Sequence, residues 1–173
     1  MQIGVRMAKA IERRRVFVVD DNAMFRAAIQ CALHDAYEAH ELASATDALA
    51  KSERIQPDLL VLAEGVIRVN GVDLIQEFLA RIPDAEILVI VDQISSGFGE
   101  ECVAAGAHRF LAKPLRTELV RDNVDALLNA RNESRDDSAG RSERPLAREG
   151  SQPPVIARGE GHGAGHSADS GRG

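Results

Sequence analysis

The chain has 173 residues, 45% of them apolar, and a formal net charge of −6, so it is long enough for one domain with a tail or two very small domains. The negative balance argues against non-specific binding to nucleic acid or to an anionic membrane surface. No apolar run approaches the roughly 20 residues of a membrane span, and the N-terminus lacks an apolar stretch of signal-peptide type, so a soluble, cytoplasmic protein is expected.

Residues 1–14 show no periodic element, and either Met1 or Met7 can serve as the start. Arg13-Arg14-Arg15 reads as a solvated flank, not a nucleic-acid patch. Val16-Phe17-Val18-Val19 is a β-branched and aromatic run, the mark of a buried strand. It ends in Asp20-Asp21-Asn22, where Asp or Asn can cap a following helix. That helix shows in Phe25, Ala28, Ile29, Ala32 and Leu33 at helical spacing. A weak strand over Ala39–Leu42 and a helix over Asp47–Ile55 follow, the latter ended by Gln56-Pro57.

Leu59–Leu62 is a third strand, and Gly65, Asn70 and Gly71 mark the stretch after it as a loop. Val72, Ile75, Phe78, Leu79 and Ile82 predict a third helix, closed by Pro83. Ile87–Val91 is the clearest strand of the chain. A short helix over Gly99–Ala105 ends on Gly106. A fifth strand covers Arg109–Leu111, and Leu119, Val120, Val124, Leu127 and Leu128 predict the last helix.

Strands and helices alternate from Val16 to Ala130, the pattern of an α/β doubly wound parallel sheet covered on both faces with right-handed crossovers. In such a sheet the ligand site lies beyond the carboxyl ends of the strands, at the switch in strand order. The chain therefore divides into a flank (1–14), a domain (15–130) and a tail (131–173). Residues 1–130, flank and domain together, carry 14 Lys/Arg and 20 Asp/Glu and so hold all six excess negative charges, and the tail is balanced. The tail is rich in Gly, Ser, Pro and Arg, has no apolar periodicity, and is expected to be disordered. It leaves no room for a DNA-binding or enzymatic output domain, so a single-domain protein is expected. His162 and His166 on its glycine-rich stretch make a poor metal site, and His34, His40 and His108 have no ligand pattern around them. Cys31 and Cys102 are far apart, without CxxC spacing, and read as reduced, partly buried thiols in helices.

Three features combine. Asp20-Asp21 closes the first strand, Pro57-Asp58-Leu59-Leu60-Val61-Leu62-Ala63 is a turn entering a buried strand with Gly71 eight residues on, and Ala105-Gly106-Ala107, Phe110 and Lys113-Pro114 follow at specific spacing. This frame resembles the receiver domain of bacterial response regulators, the proteins of two-component phosphorelay signalling. The resemblance implies a flavodoxin-like sheet of order 2-1-3-4-5. It also implies that Asp20 and Asp21 are the magnesium-binding acids, that Lys113 contacts the phosphoacceptor, and that Phe110 is the switch aromatic.

Two positions depart from the family. Ala63 stands where receivers carry the aspartate that accepts a phosphoryl group, and a methyl group accepts none. Val91, twenty-two residues before Lys113, stands where a Thr or Ser hydrogen-bonds the phosphoryl group, and it lacks the hydroxyl. A degenerate receiver, or pseudo-receiver, is expected: not an enzyme, with no cofactor or a weakly bound magnesium ion at Asp20 and Asp21. Strand alternation aims Glu64 away from the direction of residue 63. Lys113 is expected to pair with Asp20 or Asp21, and Phe110 to pack inward. Such a protein would act through protein contacts, with a sensor histidine kinase or another response regulator as partner, or as a homodimer through the Phe110 face. The alternative is a working phosphoreceiver in which Glu64, Asp20 or Asp21 accepts phosphate. A flavodoxin-like nucleotide or flavin binder is disfavoured, because the acidic Asp20-Asp21-Asn22 loop repels phosphates.

Overall fold

The computed structural model describes residues 13–140. Five parallel strands form one sheet: β1 (Arg15–Val19), β2 (Glu38–Leu42), β3 (Leu59–Ala63), β4 (Glu86–Val91) and β5 (Arg109–Ala112). Their order is β2-β1-β3-β4-β5, so the direction of winding reverses between β1 and β3. Six helices lie among the described residues: α1 (Ala23–Leu33), α2 (Ala45–Ser52), α3 (Glu64–Asn70), α4 (Asp73–Arg81), α5 (Phe98–Ala104) and α6 (Thr117–Gly140).

The strands are near-continuous apolar runs because both faces are covered. On one face Val16, Val18, Val61, Leu88 and Ile90 meet Ile29 and Leu33 of α1 and Val120, Val124 and Leu128 of α6. On the other, Phe17, Val19, Leu60, Leu62 and Val89 meet α2, α3, α4 and α5 through Ala48, Ile67, Phe78 and Cys102. The predicted cap at Asn22 forms, and Ser44 caps α2 as well. The Asn22 side chain accepts the Phe25 amide at 3.1 Å, and Ser44 accepts that of Asp47 at 3.1 Å. Gly106 follows α5 with φ of +113°, a left-handed position where a Cβ would also meet Leu79 Cδ1 at 2.7 Å.

Two expectations are corrected. The stretch after β3 is helix α3, not a loop. Its Gly65, β-branched Val66, Ile67 and Val69, and uncapped start at Ala63 give weak local helix signals. Burial of Val66 and Ile67 in the core supplies what propensity does not. The last helix runs on to Gly140, ten residues into the segment expected to be disordered. Polar anchors hold that extension. Arg131 Nη1 donates to Asp58 Oδ1 (3.1 Å) and to the Asp58 carbonyl (3.2 Å), and Arg135 pairs with Asp84 at 3.2 Å. Asp58 also accepts the Arg15 amide at 2.9 Å. The disorder expected of residues 141–173, including His162 and His166, and the reading of residues 1–12 fall outside the described residues.

In the arginine run, Arg13 donates to the His34 carbonyl (3.3 Å), Arg14 to the Leu128 carbonyl (2.5 Å), and Arg15 lies 3.6 Å from Glu38. Cys31 is exposed and Cys102 buried, both unbridged. No described helix is long and apolar enough to cross a membrane.

Candidate functional site at the carboxyl edge of the sheet

Strand register gathers the singled-out residues. Val19 pairs with Leu62 across β1 and β3, which sets Asp20 level with Ala63. Ala63 pairs with Ile90, and Val91 pairs with Ala112, so Val91 and Lys113 stand one step further along the same edge. The Lys113 amide donates to the Val91 carbonyl at 2.9 Å. Asp20, Ala63, Val91 and Lys113 thus line the ends of β1, β3, β4 and β5.

Asp20 is only 3% exposed. Its Oδ1 accepts the Asn22 amide at 2.8 Å, while Oδ2 is buried without a hydrogen-bond partner. Burial pushes its carboxyl upward; the Asn22 amide opposes this, neighbouring Asp21 adds to it, and the Lys113 charge pulls back down. Asp21 is exposed at the rim, and its oxygens lie 3.8 and 3.9 Å from where a Gly65 Cβ would stand. A buried carboxylate oxygen without a partner, beside a second carboxylate, fits a hard divalent cation. Asp20 and Asp21 are the residues that would hold magnesium. Among the described residues no group of three or more acidic, His or Cys side chains is assembled to complete such a site. Ala63, 4% exposed, adds only a methyl group.

Lys113 is not paired with the aspartate doublet. Its Nζ lies 2.9 Å from Asp92 Oδ1 and 4.6 Å from the centre of the Phe25 ring. Asp92 directly follows β4 and wins this contact because it extends from the neighbouring strand end, while Asp20 is drawn down into the buried edge. Glu64 also departs from expectation. The chain turns into α3 at residue 64, so strand alternation no longer governs its direction. The carboxylate is buried, accepts the Asp92 amide at 2.7 Å through Oε2, and takes a 2.6 Å bond from Arg68 Nε through Oε1. Sequence reasoning missed Asp92 and Arg68. The i, i+4 spacing of Glu64 and Arg68 was the available signal, hidden by reading the segment as a loop.

Val91 is fully buried and touches the core with its methyl groups. Phe110 packs against the same core, and its ring carbons lie 2.4–2.6 Å from the point where a Gly99 Cβ would be built. Only a glycine admits the ring so close to the helix backbone. The Lys113-Pro114 peptide is cis.

Comparison with known proteins agrees with this architecture. The family model of the response regulator receiver domain matches residues 16–125. The chemotaxis protein CheY of Thermotoga maritima is 31% identical over 116 residues, covering 66% of this chain and 94% of that protein. The transcriptional regulatory protein PhoP of Escherichia coli is 29% identical over 117 residues, covering 66% of this chain and 52% of that protein. The chain thus spans about half the length of such transcriptional regulators. In fold it is similar to a CheY-like receiver domain protein from Methanospirillum hungatei, with TM-score 0.65, 20% identity, and coverage of 70% of this chain and 98% of that one. It is also similar to NtrX from Brucella abortus, with TM-score 0.71, 22% identity, and coverage of 78% and 31%. With the strand order and the matched span in agreement, the chain belongs to the response regulator receiver domain family of two-component signalling.

Proposed function

We propose that this receiver works without phosphoryl transfer, as a pseudo-receiver that signals by occupying a protein partner. The observation that carries this reading is the methyl group of Ala63, level with Asp20 on the carboxyl edge, where an acceptor oxygen would be required. Three further features support it. Val91 offers no hydroxyl and is fully buried. Lys113 is engaged by Asp92. Both oxygens of Glu64 are occupied, one by Arg68 and one by the Asp92 amide, which disfavours Glu64 as an alternative nucleophile.

Asp20 and Asp21 retain part of a magnesium site and would bind the ion weakly, because a third carboxylate is missing. The partner surface in this reading is the face formed by α5, β5 and α6. Its elements carry the exposed apolar side chains of Val103 on α5 and Leu119 on α6 and the partly buried Phe110 on β5. The partner is a sensor histidine kinase, another response regulator or a second copy of this chain. Nucleic acid is disfavoured by the acidic domain, and no catalytic role is assigned.

The test is intact mass after incubation with a small phosphodonor and magnesium. No covalent gain is expected. A stable phosphoryl adduct mapped to Glu64, Asp20 or Asp21 would instead establish the working phosphoreceiver.

A further inference from the structure

Glu64 occupies a costly place for a carboxylate. It is 6% exposed, and a buried charge persists only when its oxygens are satisfied. Both are, by charge-assisted bonds that leave the site in different directions. Toward β4, Oε2 takes the Asp92 amide at 2.7 Å. Asp92 opens the connection that runs through the 3-10 turn Ile94–Ser96 into α5, so this bond fixes the start of that segment. Along α3, Oε1 takes Arg68 Nε at 2.6 Å, which orients the guanidinium. The Arg68 guanidinium carbon lies 4.2 Å from the centre of the Phe98 ring, a cation–π contact on the first residue of α5. Phe98 is followed by Gly99, where the Phe110 ring occupies the space a Cβ would fill. The inward seat of Phe110 therefore depends on where the first turn of α5 stands; Arg68, oriented by Glu64, touches that turn at Phe98, and the Glu64–Asp92 bond holds the start of the connection leading into it.

We propose that Glu64 is a built-in anion that sets this receiver's conformation: through Asp92 on one side, and Arg68 and Phe98 on the other, it holds α5 so that Phe110 stays inward and the α5–β5 face is preset. The chain supplies from its own sequence the negative charge that biases the switch, and no added group is needed to order the connection after β4. A contiguous set of packed groups can carry such a bias only if its members move together, which makes the coupling measurable. This inference rests on the reading that the site works without phosphoryl transfer.

The experiment is amide hydrogen exchange and aromatic NMR on the full isotope-labelled chain, comparing wild type with Glu64→Ala and Arg68→Ala, and with Arg81→Ala as a control. Arg81 makes an exposed i, i+4 pair with Glu77 away from the site. Glu64→Ala should speed exchange of the Asp92 amide about tenfold or more, the scale of one lost charge-assisted hydrogen bond. It should also shift or broaden the Phe110 ring resonances. Arg68→Ala, at an exposed position, should move the Phe110 resonances while the Asp92 amide stays protected. Arg81→Ala should do neither. Phe110 resonances unmoved in Arg68→Ala would overturn the proposal, and this variant decides alone if Glu64→Ala does not fold. No phosphodonor is present in these measurements. A phosphoryl adduct found separately would count against the phosphorylation-independent reading, whereas unmoved Phe110 resonances would count against the Glu64 coupling.

Discussion

Lys113 Nζ sits 2.9 Å from Asp92 Oδ1, so the cation of this edge is committed to the residue after β4 and not to the Asp20-Asp21 doublet. The pair is partly exposed on both sides and screened by water. Asp92→Ala should therefore cost about 0–1 kcal/mol of stability in urea unfolding. A loss well above that range would mean that Asp92 does more than hold the lysine.

The orphaned, buried Asp20 oxygen predicts a site under electrostatic stress. Its folded-state pKa is raised, so the native state binds the proton more tightly than the unfolded chain. Stability from this group falls as pH rises from the ordinary carboxylate range through the raised value. Asp20→Asn should raise the melting temperature in metal-free buffer at neutral pH, by roughly 2–4 °C if about 1 kcal/mol is recovered. The gap should close as the pH falls below the unfolded carboxylate's pKa. Excess magnesium should stabilise the wild type and not the variant. A melting temperature lowered by the substitution at every pH would refute the stress.

Ala63→Asp restores a third carboxylate beside Asp20. It should raise magnesium affinity in a calorimetric titration, and it should destabilise the metal-free protein by about 1–3 kcal/mol through like-charge crowding at a buried position. Val91→Thr should be needed as well for a full conformational response to a phosphodonor. Unchanged magnesium binding in Ala63→Asp would mean that residue 63 does not face the doublet.

Gly99→Ala puts a methyl group within 2.4–2.6 Å of Phe110 ring carbons. The ring must leave or the helix must shift, at about 1–3 kcal/mol for such overpacking. Thermal melts should show the loss, and Gly99→Ala should cost much less when introduced into a Phe110→Ala background. Additive losses in the double variant would mean that the two residues do not compete for one space.

The two thiols differ in reach. Cys31 is exposed, while burial pushes the Cys102 thiol up to about 11. Native protein treated with iodoacetamide at neutral pH should gain one adduct, on Cys31, and unfolded protein two. Rapid native labelling of Cys102 would reveal opening of α5.

The alternation of apolar strands with amphipathic helices specified the layered sheet, because both periods are local properties of the chain. The positions of Asp20, Asp21, Ala63, Val91 and Lys113 at strand ends were equally legible, since each is a residue type at a fixed place relative to an apolar strand run. What the sequence left open were contacts between segments distant along it. Helix α3 forms against its weak propensity because the core receives Val66 and Ile67, and α6 outruns its apolar pattern because Asp58 and Asp84 lie within reach of Arg131 and Arg135. The choice of Asp92 over the doublet as partner to Lys113, and of the β4 edge as the seat of the Glu64 carboxylate, was made by strand register and burial. These are properties of neighbouring strand ends in space, and no local pattern encodes them.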